Sequence, residues 1–220
     1  MSFYINNTNP NKPGPICGNP VNGICEKALI EVTKVFDACV RTETLTGVPL
    51  TGANFTPANP ALPLTFISAE TDTTQETTIS NVVIDRIDNR PNYAYVSANV
   101  TIPVIINYRD ANGVLGTATS TFTTTQNVIL FVPQPSLTPV VIKALGTLSS
   151  TIGTFTEPDV FTITACIQII LKVTAEVDML VPSYGYPNIP ACQLAPEATC
   201  PGVNELPLYP TAICPGNLQN

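Results

Sequence analysis

The chain has 220 residues, enough to bury a core as one domain with extensions or as two small domains. Its 9 Lys and Arg against 16 Asp and Glu leave a net charge of −7, which argues against nucleic-acid binding through phosphates. There is no His, so the commonest general base and neutral metal ligand are missing, and neither catalytic nor metal-binding residues nor a cofactor are expected. Charged residues make up only 11%, low for a cytosolic enzyme and closer to a surface or fibrous protein.

Residues 1–25 read as an extended N-terminal arm. Asn, Pro and Gly dominate it, from Asn6 to Pro15 and again around Cys17 and Cys25, and such a segment cannot pack a core of its own. Met1 to Pro15 has no basic start followed by an apolar run, so no secretory signal peptide is expected. Residues 26–182 read as the folded body. In 27–42, Leu29, Val32, Val35, Phe36, Cys39 and Val40 fit a helical stripe, while Ala28, Ile30, Val32, Phe36, Ala38 and Val40 fit a strand face. The β-branched content favours strand. Residues 43–62, with Pro49, Gly52, Pro57 and Pro60, read as loop.

Short strands are expected at 62–70 and 79–87, joined by a polar loop over 71–78. A hairpin follows. Val96, Ala98, Val100, Ile102, Val104 and Ile106 alternate with polar residues, and Asp110-Ala111-Asn112-Gly113 supplies an Asn-Gly turn whose residues both tolerate positive φ. Asp110 and Asn112 are too few oxygens for a calcium site. Pro103 implies an edge position or a bulge. After Pro133 and Pro135, a strand over 138–145 and a turn region from Gly146 to Gly153 are expected.

From Phe161 to Val181 every odd residue is apolar and most even ones are polar, over 21 residues. At roughly 3.3 Å per residue this spans about 70 Å. It is either one bent strand passing between sheets or two strands joined without a turn residue. Lys172, Glu176 and Asp178 inside it exclude a membrane span. Together these elements predict an all-β protein, an antiparallel β-sandwich of jelly-roll or Ig-like type, with the N-terminal arm and a Pro-rich C-terminal tail over 183–220. Tyr184, Tyr186 and Tyr209 are anchors for that tail.

Seven cysteines are an odd count. Without His or a close Cys-x-x-Cys pair, disulfides in an oxidising place are expected rather than zinc, and the odd count hints at bonds between chains. Cys17, Cys25, Cys192, Cys200 and Cys214 are the candidates for intersubunit disulfides. Cys39 and Cys166 are read as buried or intrachain cysteines.

Two motifs carry a resemblance. Lys34-Val35-Phe36-Asp37-Ala38-Cys39 resembles a Lys-Val-aromatic-Asp-small-Cys signature in a group of small proteins of spore-forming clostridia and their relatives. Leu180-Val181-Pro182-Ser183-Tyr184-Gly185-Tyr186, continuing to Ile189-Pro190-Ala191-Cys192, resembles that group's ending. The group has a further Cys after the Tyr-Gly-Tyr, where this chain has Pro187. The layout, a Cys-bearing arm before a jelly-roll-like body, is similar to that of endospore appendage (pilus) subunits of bacilli. The resemblance implies a protein of the spore or cell surface, extracellular after mother-cell lysis.

The function expected is therefore a self-assembling structural subunit of an extracellular fibre or layer. Its partners are copies of itself and other spore-surface proteins, joined by adding the arm to a neighbour's sheet edge and by disulfides. The alternative is an extracellular carbohydrate- or protein-binding β-sandwich module, with Tyr93, Tyr95, Tyr184 and Tyr186 as its aromatic platforms. An enzyme would rest on carboxylate pairs such as Asp85 with Asp88 or Glu176 with Asp178, for which a solvated strand face is the plainer account.

Overall fold

The computed structural model describes residues 14–15 and 26–183. The chain divides into two compact units. One comprises Met1–Val32 and Val177–Asn220, and the other comprises Thr33–Glu176. In the first, β1 (Gly14–Pro15) pairs antiparallel with the start of β2, with Gly14 opposite Lys27 and Pro15 opposite Glu26. The predicted tail over 183–220 lies outside the described residues apart from Ser183.

The second unit is built from β2 (Glu26–Thr51), β3 (Ala53–Thr56), β4 (Thr65–Thr71), β5 (Thr78–Ile87), β6 (Arg90–Arg109), β7 (Leu115–Phe131), β8 (Val141–Thr156) and β9 (Val160–Ser183). β2 and β9 have residues in both units. No helix occurs among the described residues, and the expected all-β antiparallel architecture is the one observed. Within this unit the strand order is β2-β9-β8-β4-β6-β7-β3, with β5 also paired to β6.

Alternation explains how the sheet buries one face. The even residues of β6 from Ala94 to Tyr108 are buried, as are the odd residues of β9 from Phe161 to Ala175. β4 pairs with β6 along one edge and with β8 along the other, and brings these two apolar faces together. Ile102 of β6 packs against the backbone of Gly146 on β8. Phe161 of β9 meets Tyr108, Phe66 and Phe155, with ring centroids 6.5, 6.2 and 5.0 Å away. The result is a sandwich-like core of aliphatic side chains from several non-adjacent strands. Burial of each such side chain contributes about 1.5–3 kcal/mol.

The long run over 161–181 lies within a single strand, β9, rather than two strands. Four other expectations are corrected. The stretch 27–42 is strand, as favoured, but β2 continues to Thr51, and β3 follows where loop was expected. Thr42, Thr44 and Thr46 suit a strand, and Gly47 at φ +70° absorbs an irregularity. Leu45 packs on the core before Gly47, while Val48 and Leu50 are buried after it, so the inward parity flips there. Phe36 and Cys39, three residues apart, also both pack on the core. That slip gave the segment its helix-like spacing.

Second, β8 runs through Gly146 and Gly153 without turning, and the turn falls at 157–159. These glycines mark close approaches. A Cβ on Gly146 would lie 2.6 Å from Ile102, and one on Gly153 would lie 2.9 Å from Phe66 and Ile163.

Third, Pro103 lies on neither an edge strand nor a bulge of its ladder with β7. β6 is paired on both sides, and Pro103 is in register opposite Thr121. On its other side β4 pairs up to Val104 and β5 begins at Thr101. The missing N–H therefore falls in the gap between two partner strands, where the Pro103 carbonyl accepts a bond from Asp72 N at 2.9 Å.

Fourth, the hairpin turn uses positive φ at Gly113 but not at Asn112. Asp110 organises it, its Oδ1 accepting from Asn112 N and Val114 N at 2.9 and 2.8 Å. Its Oδ2 accepts from Ala61 N at 3.3 Å, which ties the turn to the preceding loop.

Candidate functional site

Cys17, Cys25, Cys192, Cys200 and Cys214 lie outside the described residues, as do Tyr184, Tyr186 and Tyr209. Cys39 and Cys166 are both free thiols, and Cys166 is exposed rather than buried. It occupies an even position of β9, on the face opposite the core, with its Sγ 3.7 Å from Thr44 Oγ1. Cys39 is half-buried and packs on the core. Burial pushes its thiol above the ordinary range, the nearby Asp37 charge adds to this, and a hydrogen bond with the Leu171 backbone opposes it.

Asp85, Asp88, Glu176 and Asp178 are all exposed. Tyr93 packs edge-on against Phe131 of β7 at 5.6 Å, with Arg90 6.0 Å above its ring. Tyr95 is more exposed and stands opposite Ile129.

The arrangement with most potential for interaction is a strand edge. β7 pairs with β6 over 17 residues without a bulge. Along its other edge, among the described residues, only β3 pairs with it, opposite Thr117 and Thr119. At the far end Phe131 N turns away from β6 and donates to Asp37 Oδ2 at 2.7 Å. Strand groups alternate sides with period two, so the N–H and C=O groups of Thr121, Thr123, Thr125, Asn127 and Ile129 point the same way. No strand pairs with them among the described residues.

Exposed edges are commonly blunted by charge, Pro or a bulge. The stretch Thr121-Phe-Thr-Thr-Thr-Gln-Asn-Val-Ile129 has no charged residue, no Pro and no Gly. The edge of β2, by contrast, carries Lys34, Asp37, Arg41 and Glu43. The slot on β7 is bounded by β3 at one end and by the Asp37 carboxylate at the other. It offers backbone pairing, which can bind an extended segment without a demanding side-chain code. Its one sequence signal was this uninterrupted uncharged run, but an edge cannot be assigned before the strand order is known.

No helix among the described residues is long and apolar enough to cross a membrane, and no group of His, Cys, Asp or Glu among them is arranged to hold a metal ion. No family model matches the chain, and neither does any curated protein or solved structure.

Proposed function

We propose that this protein is a structural subunit that assembles with copies of itself into an extracellular fibre or layer of the spore surface. A jelly-roll-like body is the repeating unit. An extended segment of a neighbouring copy adds as a strand to the open edge of β7, and disulfides through Cys17, Cys25, Cys192, Cys200 and Cys214 then lock the contact. The observation that carries this reading is the edge from Thr121 to Ile129, without a partner strand among the described residues and fully in register with β6 on its other side. The spore-surface location rests on the two motifs around Cys39 and Tyr184, and not on the fold.

The test is substitution at the edge. Thr125→Pro removes an outward N–H that the β6–β7 ladder does not use, and Thr123→Lys with Thr125→Lys places charges on the edge. Both proteins are expected to fold, by circular dichroism, yet to give no assemblies by negative-stain microscopy. They should also lack the reductant-sensitive ladder that the unsubstituted protein is expected to show on gels after boiling. Assemblies of unchanged form and yield from folded Thr125→Pro protein would sink the proposal.

A further inference from the structure

Lys143 of β8 and Lys172 of β9 are directly opposite each other in the ladder. Directly opposed residues place their Cβ atoms about 4.5–5.5 Å apart, and like charges there cost stability. The chain has only 9 Lys and Arg in 220 residues, and two stand at this one position. Among the described residues neither makes an ion pair.

The two lysines line a groove of about 780 Å³. Its floor is the next cross-strand pair, Leu145 and Ile170, and Leu145 is 53% exposed. Its wall is the loop after β4, which carries Thr73 and Glu76. Side-chain hydroxyls hold that loop in place. Thr71 Oγ1 accepts from Leu148 N at 2.7 Å, and Thr77 Oγ1 accepts from Gly146 N at 3.1 Å. They continue by side chain the pairing that β4 makes with β8. Asp72 also lines the groove, but its oxygens accept from Thr74 N, Thr74 Oγ1 and Gln75 Nε2 at 2.6–2.9 Å. Glu76 is then the lining carboxylate without a hydrogen bond or ion pair among the described residues.

We propose that this groove binds a small organic dianion, a phosphate monoester or a dicarboxylate carried on a short apolar stem. The two ammonium groups converge on the dianion from neighbouring strands and relieve their own repulsion. The stem lies on Leu145 and Ile170. Glu76 sets the charge requirement. It competes for one ammonium and repels the ligand, so a monoanion gains little, whereas a dianion engages both lysines.

Isothermal titration calorimetry of the full chain tests this, with phenyl phosphate and phthalate as dianions and benzoate as the monoanion, all at matched ionic strength. Saturable binding of at least one dianion is expected, about tenfold or more tighter than benzoate. Binding of phenyl phosphate alone assigns the phosphate ester, and of phthalate alone the dicarboxylate. Lys143→Gln and Lys172→Gln, both on the outer face and clear of the core, should each weaken binding, and Glu76→Gln should strengthen it. The proposal is overturned by heats that match added sodium chloride, or by dianion binding that persists undiminished in the folded lysine variants.

Discussion

The carboxylate of Asp37 accepts a hydrogen bond from the backbone N–H of Phe131, 94 positions away in the chain, at 2.7 Å. Its other oxygen accepts from Ala38 N at 2.8 Å, at the place where β2 loses its alternation. The central acid of the Lys-Val-Phe-Asp-Ala-Cys motif thus joins β2 to the end of β7 and bounds its open edge. Asp37→Ala is expected to lower stability by about 1–2 kcal/mol in urea titrations, within the range for hydrogen bonds to charged groups. Asp37→Asn, which keeps a carbonyl acceptor, should lose less. An unchanged urea midpoint in Asp37→Ala would mean that the hydrogen bond contributes nothing.

Gly146 exists for Ile102. Gly146→Ala should cost about 1–3 kcal/mol, because Ile102 is fully buried and has little room to yield. Trimming Ile102 to Ala removes both the Cδ1 and the Cγ1 atoms that a Cβ would strike. In a double-mutant cycle the pair should therefore show favourable coupling, on the order of 0.5–3 kcal/mol.

Gln126 is 1% exposed on the inner face of β7, and its Oε1 has no partner among the described residues. A buried acceptor left unpaired costs stability, and an apolar side chain of similar shape removes that cost. Gln126→Met is expected to raise stability by about 1 kcal/mol, read as a higher urea midpoint with unchanged slope.

The carboxyl of Asp72 is held below its ordinary range, first by the Thr74 hydroxyl, then by the Thr74 backbone N–H and, less strongly, by the Gln75 amide. A lowered folded value means that this stabilisation is fully present above the unfolded value, about pH 4, and is lost as pH falls through the folded one. Urea midpoints measured from pH 6 down to pH 2 should fall less steeply in Asp72→Asn than in the unsubstituted chain.

The two described cysteines should differ in reactivity. Burial raises the Cys39 thiol, whereas Cys166 is exposed. With the protein reduced at pH 8, iodoacetamide is expected to modify Cys166 well before Cys39, as followed by peptide mass mapping. Equal rates would contradict the packing of Cys39 on the core.

Period-two patterning by itself determined the fold class, the hairpin of β6 and β7, and the dry face of β9. These follow from side-chain direction along a strand, which is a local property. The same locality is why Gly146 and Gly153 read as a turn and Phe36 and Cys39 as part of a helical stripe: each reports a contact with a distant strand. Pro103 read as an edge marker for the same reason, since a missing N–H tells that one pairing is absent but not on which side or why. Only the tertiary structure decided that β7 has an edge without a partner strand among the described residues, that Asp37 reaches Phe131, and that Lys143 faces Lys172. Strand order and register are set by which apolar faces can be buried together, and that balance is struck across the whole chain.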